Sequence, residues 1–340
     1  MLGEQLVTKM WETLIKGGIG SLASPWQIKR EGKAYAEVRR DEMLMLAQAE
    51  VEAKAIKEGK KKLLPDGKLI ELHQNNYRYD STFPLERVEP TLVIEHIFSS
   101  VEQQRKANDI QAEININKTI LMAEEELLSS QTPPSVEDIN ADWLSRWRDY
   151  ASNTESEDIR RLWARTLAGE TKSPGKYSMR TLEFIKNLSQ GEAMSISRLG
   201  QFTTAKILFK SDILISHSID FEFLLQMEDL GVISGVQGGN ISSLEAIIRS
   251  NSVEVFSNQI INRNRILLIS SDNPSKEVKL PIYKITKLGE EVLSLGDFNA
   301  NDEFMRDIGR KIKQKGFSVT LATWLQTTTE HGHYFNPEFI

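Results

Sequence analysis

The chain has 340 residues, with 42 Lys and Arg against 48 Asp and Glu, and it contains no cysteine. The lack of cysteine excludes disulfides, Cys-ligated zinc or iron–sulfur sites and a cysteine nucleophile. A formal net charge of −6 argues against a uniformly basic nucleic-acid-binding chain, although it leaves local basic patches open. No apolar run approaches the roughly 18–20 residues that span a bilayer. We therefore expect a cytoplasmic protein.

The N-terminal part of the chain is predicted to be helical. Residues 2–16 place their apolar side chains on one face, which predicts a short amphipathic helix. Residues 27–62 form a charged, alanine-rich segment with a narrow apolar stripe. A second long helix is expected from about 90 to 130, where Pro133 and Pro134 stop it. Helices of this length predict a helical hairpin or an oligomeric stalk, and with it a homo-oligomer.

Four shorter helices are predicted to form a central module. Their expected N-caps are, in chain order, Ser135, Thr154, Ser178 and Ser189. Two of these caps have a glutamate three residues later, Glu157 and Glu192, which is capping-box spacing.

The C-terminal part changes character. A helix that contains Phe221 and Met227 ends near Gly231, and β-like runs follow at 266–269 and 278–285. This order predicts a winged-helix-like module with an insertion of 25–30 residues around 236–263. A last helix is expected at about 300–315, followed by a strand at 317–324.

Two stretches resemble a known family. The first runs from Arg160 to Ala193 and the second from Phe223 to Leu295. Together they are similar to an uncharacterised bacterial family, often found on mobile elements, that is related to the abortive-infection alpha family. The corresponding residues are Leu162, Trp163, Leu167, Ala168, Leu188, Ser189, Glu192, Ala193, Met227, Glu228, Leu230, Gly231, Val232, Ile233, Ile285, Thr286, Leu288 and Gly289. The resemblance implies an accessory protein connected with phage exclusion, and it transfers no catalytic residue.

These patterns give an expected fold class that is mainly α. It has long N-terminal helices, a central four-helix module and a C-terminal winged-helix-like α/β module. The expected segments are 1–87 (amphipathic and charged helical arm), 88–132 (long helix), 133–210 (four-helix module), 211–298 (winged-helix-like module with its insertion) and 299–340 (helix and strand tail).

The N-terminal arm offers candidates for membrane or protein docking. Trp11 and Trp26 flank a Gly-rich apolar stretch, and Lys16, Lys29 and Arg30 lie in or after it. Interfacial segments combine tryptophan with cations that meet anionic lipid. Peripheral association with the inner membrane is one interpretation, and packing on the helical core or on a neighbouring subunit is the other.

The winged-helix-like module suggests an alternative role as a nucleic-acid-binding regulator. Residues 219–299 carry eleven acidic and seven basic residues, so DNA binding would need the bases to cluster. The candidates for such a cluster are Arg263, Arg265, Lys276, Lys279, Lys284 and Lys287.

No catalytic, cofactor or metal site is predicted. His331 and His333 beside Glu330 have ligand spacing, but they lie near the chain end and lack a third local ligand. The Gly238-Gly239-Asn240 step lacks the Lys and Ser/Thr of a phosphate-binding loop. We therefore expect a non-enzymatic interaction protein, oligomeric through its long helices, that contacts a phage or host protein in an abortive-infection-type response. An enzyme with an unrecognised site is a second alternative.

Overall fold

A computed structural model describes residues 2–19, 35–72, 94–204, 206–237, 244–327 and 331–340. The chain divides into two compact units, Met1–Pro174 and Gly175–Ile340, which we call the first and the second unit. This division differs from the five segments expected from the sequence. It separates the first two of the four short central helices from the last two.

The first unit consists of helices and one small hairpin. Its helices are α1 (Leu2–Leu14), α2 (Tyr35–Lys57), α3 (Ile94–Leu128), α4 (Ala141–Ser152) and α5 (Glu157–Lys172). A π-helical turn, Ile15–Ile19, follows α1, and strands β1 (Lys61–Leu63) and β2 (Leu69–Glu71) pair in antiparallel fashion. Helix α2 ends in a Schellman motif, in which Lys60 N–H donates to the Ala55 carbonyl and Gly59 has a φ of 69°.

Helix α3 forms the centre of the first unit, because α1, α2, α4 and α5 all contact it. No Gly or Pro interrupts its 35 residues. Since other helices cover it on several sides, α3 buries polar as well as apolar side chains, Asn115 and Glu124 among them. Helix α2 packs along α3 through a cluster that includes Leu46 and Leu121. This contact corresponds to the helical hairpin, one of the two arrangements expected from the sequence.

Helix α1 is packed tightly into the first unit. It buries Leu6, Met10 and Leu14 completely. At Gly3 the approach is so close that a Cβ atom would lie 2.5 Å from the carbonyl oxygen of Leu128. A side chain at this position would push α1 away from the end of α3, so glycine is needed here.

The second unit is built from short helices around two sheets. Its helices are α6 (Met179–Lys186), α7 (Gln190–Gly200), α8 (Ile213–Ser216), α9 (Phe221–Asp229), α10 (Lys287–Leu293) and α11 (Asp302–Lys313). Its strands are β3 (Ile207–Phe209), β4 (Ile233–Ser234), β5 (Glu245–Ile248), β6 (Phe256–Asn262), β7 (Arg265–Ser271), β8 (Val278–Ile285), β9 (Ser318–Gln326) and β10 (Gly332–Phe339).

Strand β8 organises the first sheet of this unit. It lies between β3 on one side and β4 on the other, and it also pairs with β5. The second sheet has the order β10-β9-β7-β6, with all neighbours antiparallel. A single apolar core joins these elements, and in it the rings of Phe202 and Phe304 meet edge to face at 5.4 Å.

The expectation of a mainly α class is wrong, because the described residues form ten strands as well as eleven helices. Part of the difference lies within 236–263, where only an insertion was expected. That stretch contains β5 and β6, and β6 pairs with β7 along its full length. The strands expected at 266–269, 278–285 and 317–324 and the helix expected at 300–315 are confirmed as β7, β8, β9 and α11.

The structure corrects two helix starts and confirms two others. Helix α4 is capped by Asn140 rather than Ser135, because Asn140 Oδ1 accepts the N–H groups of Asp142 and Trp143. Helix α5 begins after Ser156 rather than Thr154, and no side chain caps it. The Ser178 cap is confirmed on α6, and the capping box of Ser189 and Glu192 is confirmed on α7.

Candidate functional site

The structure describes two of the five candidate docking residues of the N-terminal arm. Trp11 is only 6% exposed, and its indole Nε1 donates a 3.0 Å hydrogen bond to Glu124 Oε1 on α3. The Trp11 side chain therefore lies in the core of the first unit rather than on a surface open to lipid. Lys16 is exposed and forms an ion pair with Asp138 at 3.5 Å.

The other three candidates, Trp26, Lys29 and Arg30, lie outside the described residues. None of the helices in the described ranges is both long and apolar enough to cross a membrane.

The two arginines of the proposed nucleic-acid patch are held by contacts within the second unit. Arg263 Nη2 donates to the Leu293 carbonyl at 2.9 Å, and its guanidinium lies 5.0 Å from the centre of the Phe298 ring. Arg265 forms an ion pair with Asp302. Through these contacts the two arginines connect the β6–β7 turn to neighbouring elements, so neither side chain is free to bind phosphate.

Three of the four lysine candidates also have partners. Lys276 Nζ donates to the Gly316 carbonyl at 3.0 Å, Lys279 lies 3.8 Å from Glu277, and Lys287 lies 3.5 Å from Glu291. Lys284 is exposed on β8. The six bases are therefore spread over several elements, and the structure gives no single free basic patch at these positions.

Helices α8 and α9 present an exposed apolar and acidic surface, which we call the α9 face. Its apolar members are Ile215 and Phe221, which are 65% and 60% exposed. Both line a cavity of about 290 Å³ in the second unit. The carboxylates of Asp212, Glu222 and Asp229 are exposed on the same two helices and their flanks, and no cation within the described ranges pairs with them. Lys210 and Lys311 also line this cavity, so the acidic part of the surface is formed by the exposed carboxylates of the two helices, which attract cationic groups.

The first unit holds a larger cavity, of about 550 Å³, which we call the Arg160 cleft. It is lined by residues of α2, α3 and the start of α5, namely Glu50, Ala53, Lys54, Lys57, Glu58, Ala107, Asn108, Gln111, Asn115, Glu155 and Arg160. Arg160 is only 7% exposed. It lies on the buried face of α5, four residues before Ala164 and seven before Leu167.

The hydrogen bonds of Arg160 all come from one nitrogen. Nη2 donates to the carbonyls of Thr154 and Glu155 at 3.3 and 3.2 Å and to Asn115 Oδ1 at 3.4 Å. The buried Nε has no partner among the described residues. Burial lowers the pKa of Arg160, and the charges of Glu50 and Glu157 oppose this shift. Because an arginine keeps its proton in proteins, the result is a buried cation whose hydrogen bonds are incomplete.

The burial of Arg160 beside a cavity was not predicted from the sequence, where Arg160 belonged only to one of the two stretches that carry the family resemblance. One signal was present. A base at the i−4 and i−7 positions of an apolar helical stripe faces the interior. The sequence could not show that α2 would bring Lys54 and Lys57 to the same cavity.

No group of three or more His, Asp or Glu side chains suited to a metal ion occurs in the part of the chain that the structure describes. His331 and His333 flank the start of β10, and Glu330 lies outside that part. Gly238, Gly239 and Asn240 also lie outside it.

Comparison with known proteins identifies one similarity. Residues 100–218 match the model of a family described as a protein of unknown function (DUF2806). The matched range contains most of α3 and all of α5, and with them six of the residues that line the Arg160 cleft, from Ala107 to Arg160. No curated protein and no solved structure matches the chain.

Proposed function

We propose that this protein is a non-enzymatic interaction protein that assembles with further copies of itself and contacts another protein through its second unit. The observation that carries the proposal is the α9 face, where exposed Ile215 and Phe221 share two short helices and their flanks with exposed carboxylates that no cation of the described residues pairs with. A nucleic-acid-binding surface needs cations that neutralise phosphate. The α9 face instead suits a protein segment with an apolar side chain and basic neighbours.

A winged-helix-like arrangement of this unit is part of the proposal. The order α7-β3-α8-α9-β4-β8, with β8 between β3 and β4, supports it. In this interpretation α9 is the helix that would enter the major groove of DNA in a nucleic-acid-binding relative. Strands β5, β6 and β7 then correspond to an enlarged wing. The acidic character of α9 favours protein binding over the regulator alternative.

Fluorescence anisotropy with a labelled DNA duplex at low salt tests this choice. We expect no saturable binding by the full-length protein. A double charge reversal, Glu222→Lys with Asp229→Lys, should gain salt-dependent binding, because it supplies cations where α9 would meet phosphate. Both positions are exposed, so the reversal should leave the fold intact.

The result that would overturn the protein-binding proposal is saturable duplex binding by the wild-type protein. Weakening of that binding by Lys284→Gln would then place DNA at the β8 surface. Arg263→Ala is a poor probe for this purpose, because it also removes the contact with Leu293.

Self-assembly is proposed to use the outer face of α2, with a second copy of this chain as its partner. Leu44 and Val51 are exposed and lie seven residues apart, on one face of α2. On α3, Phe98 and Val101 are exposed as well. Large apolar side chains at heptad spacing on long helices are typical of helix-to-helix contacts between subunits.

Light scattering after size-exclusion chromatography tests the assembly. We expect the wild-type mass to exceed 38.7 kDa and to fall to the monomer in Leu44→Glu with Val51→Glu. Met194→Glu, at an exposed apolar position on α7, is the matched control and should leave the mass unchanged. A wild-type protein that is monomeric at all concentrations would contradict the proposal.

The biological setting that we propose is an abortive-infection-type response to phage, supported by the sequence resemblance. Bacteria that express the protein should release fewer phage than bacteria that express Leu44→Glu with Val51→Glu. Equal phage yields with the two proteins would contradict a role that depends on assembly.

Membrane docking through Trp26, Lys29 and Arg30 remains part of the proposal. It predicts that the protein floats with anionic liposomes and that Lys29→Glu with Arg30→Glu abolishes this flotation.

A further inference from the structure

The Arg160 cleft has the size of a ligand site. Its volume of about 550 Å³ lies within the range of roughly 300–1,000 Å³ that small-molecule sites occupy. Among the described residues, all those that line it belong to the first unit, and none of these is aromatic. The described part of the lining consists mostly of charged and amide side chains, which offer hydrogen bonds rather than a stacking surface. The cleft therefore suits a polar ligand.

A purely structural role does not account for Arg160. Buried arginines are ordinarily paired with carboxylates, because an unpaired buried charge is costly. In the described ranges no carboxylate forms an ion pair with Arg160. Its three hydrogen bonds are long, between 3.2 and 3.4 Å, and its Nε is buried without a partner. An anionic ligand would supply the missing charge.

Two more cations line the same cleft. Lys54 and Lys57 lie one turn apart on α2. No ion pair or hydrogen bond engages either side chain in the part of the chain that the structure describes. Two of the three carboxylates of the lining already have other partners. Glu50 pairs with Lys118 at 2.8 Å, and Glu58 pairs with Lys60 at 2.6 Å.

We propose that the Arg160 cleft binds the phosphate group of a small polar molecule, with Arg160 as the planar donor and Lys54 and Lys57 as flanking cations. Arginine matches the geometry of phosphate oxygens, and lysine supplies mobile positive charge. Three cations suit a phosphate monoester, which carries about −1.5 to −2 charges at pH 7, better than a carboxylate with a single charge. The amides of Asn108 and Gln111 can then bond the polar remainder of the molecule.

Isothermal titration of the full-length protein tests the site, with inorganic phosphate, ribose 5-phosphate and acetate as probes at constant ionic strength. We expect saturable binding of both phosphates and none of acetate. Tighter binding of ribose 5-phosphate assigns the site to organic phosphates, and equal binding of the two assigns it to free phosphate. The variant Lys54→Gln with Lys57→Gln should weaken phosphate binding about tenfold or more. Arg160→Met should abolish it.

The matched control is Arg161→Gln, which removes an exposed arginine of the same helix that pairs with Glu157 outside the cleft. It should bind phosphate as the wild type does. Since Arg160→Met alters a buried position, circular dichroism checks its fold, and the exposed lysine pair decides the question if that variant is unfolded. The proposal is overturned by an absence of saturable binding up to about 10 mM phosphate. Equal losses in Arg161→Gln and in the lysine pair, or equal binding of acetate, would also overturn it.

Discussion

Two buried charged residues, one in each unit, differ in their partners. In the second unit, Glu291 is buried, and both of its carboxylate oxygens have partners. Oε2 accepts the Ser178 N–H at 2.7 Å and the Thr181 hydroxyl at 2.5 Å, and Oε1 lies 3.5 Å from Lys287 Nζ. In the first unit, Arg160 is as deeply buried, but no carboxylate of the described chain pairs with it.

This difference indicates that the Glu291 charge has a structural role and that the Arg160 charge is a candidate for ligand binding. A buried charge whose hydrogen bonds are complete fixes the elements around it, and Glu291 does so by joining α10 to the start of α6. A buried charge with incomplete hydrogen bonds beside a cavity is a candidate for ligand recognition. The role of Arg160 is therefore best tested by measuring ligand binding, and the role of Glu291 by measuring the free energy of unfolding.

The first unit also contains a buried carboxylate that does have partners, Glu124, and its removal should have the largest effect. Glu124 is fully buried and accepts from Trp11 Nε1 at 3.0 Å and from Arg39 Nη1 at 3.2 Å. Glu124→Ala should lower the free energy of unfolding by about 3–5 kcal/mol, because it leaves the Arg39 charge without its buried partner. Urea denaturation measures this loss, and hydrogen exchange of the α1 and α3 amides shows where it occurs.

The control for this prediction is the neighbouring residue. Glu125 also pairs with Arg39, at 2.7 Å, but its side chain is exposed. Glu125→Ala should therefore cost about 0–1 kcal/mol. Equal losses in Glu124→Ala and Glu125→Ala would show that the buried network does not anchor α1, and the contrast with Arg160 would then lose its basis.

The second prediction concerns Glu291 in the second unit. Glu291→Ala should destabilise this unit by about 2 kcal/mol, because two hydrogen bonds to a charged acceptor are lost and the Ser178 N–H stays unpaired. Hydrogen exchange of α6 and α10 amides should report the change. Amides of α3 should be unaffected if the effect is confined to the second unit.

The same carboxylate gives a pH dependence with a defined sign. Burial raises the pKa of Glu291, but hydrogen bonds from Thr181 and Ser178 and the charge of Lys287 outweigh it and lower the pKa below the ordinary value. A group with a lowered folded pKa stabilises above its unfolded pKa, about 4.3 for glutamate. This contribution should disappear as the pH falls through the lower folded value.

Unfolding of the second unit, followed between about pH 6 and pH 3, measures this contribution. Glu291→Gln cannot ionise, so its stability should fall less steeply with acid than that of the wild type. Parallel curves for the two proteins would contradict the assignment.

The sequence predicted the helices and strands that have strong local signals. The capping box of Ser189 and Glu192 could be predicted because both partners lie within four residues. Strand β8 could be predicted because its apolar run is long. Strand β6 was not predicted because its polar residues interrupt the alternation of apolar and polar side chains that indicates a strand. Its backbone hydrogen bonds with β7 depend on tertiary structure. The Arg160 cleft was missed because it forms only when α2 folds back on α3, more than fifty residues along the chain.

The smallest effect that we predict compares a capped helix with an uncapped one. Ser189 accepts the Glu192 N–H at 3.2 Å, and Glu192 Oε2 accepts the Ser189 N–H at 2.8 Å, so Ser189→Ala should destabilise α7 by about 1 kcal/mol. Ser156 caps α5 with no side-chain hydrogen bond, so Ser156→Ala should cost only about 0–0.5 kcal/mol. Urea midpoints of the two variants decide between these values. A loss in Ser156→Ala that matches the loss in Ser189→Ala would contradict this contrast, because it would show that α5, whose first turn contains Arg160, also depends on the side chain at its N-cap.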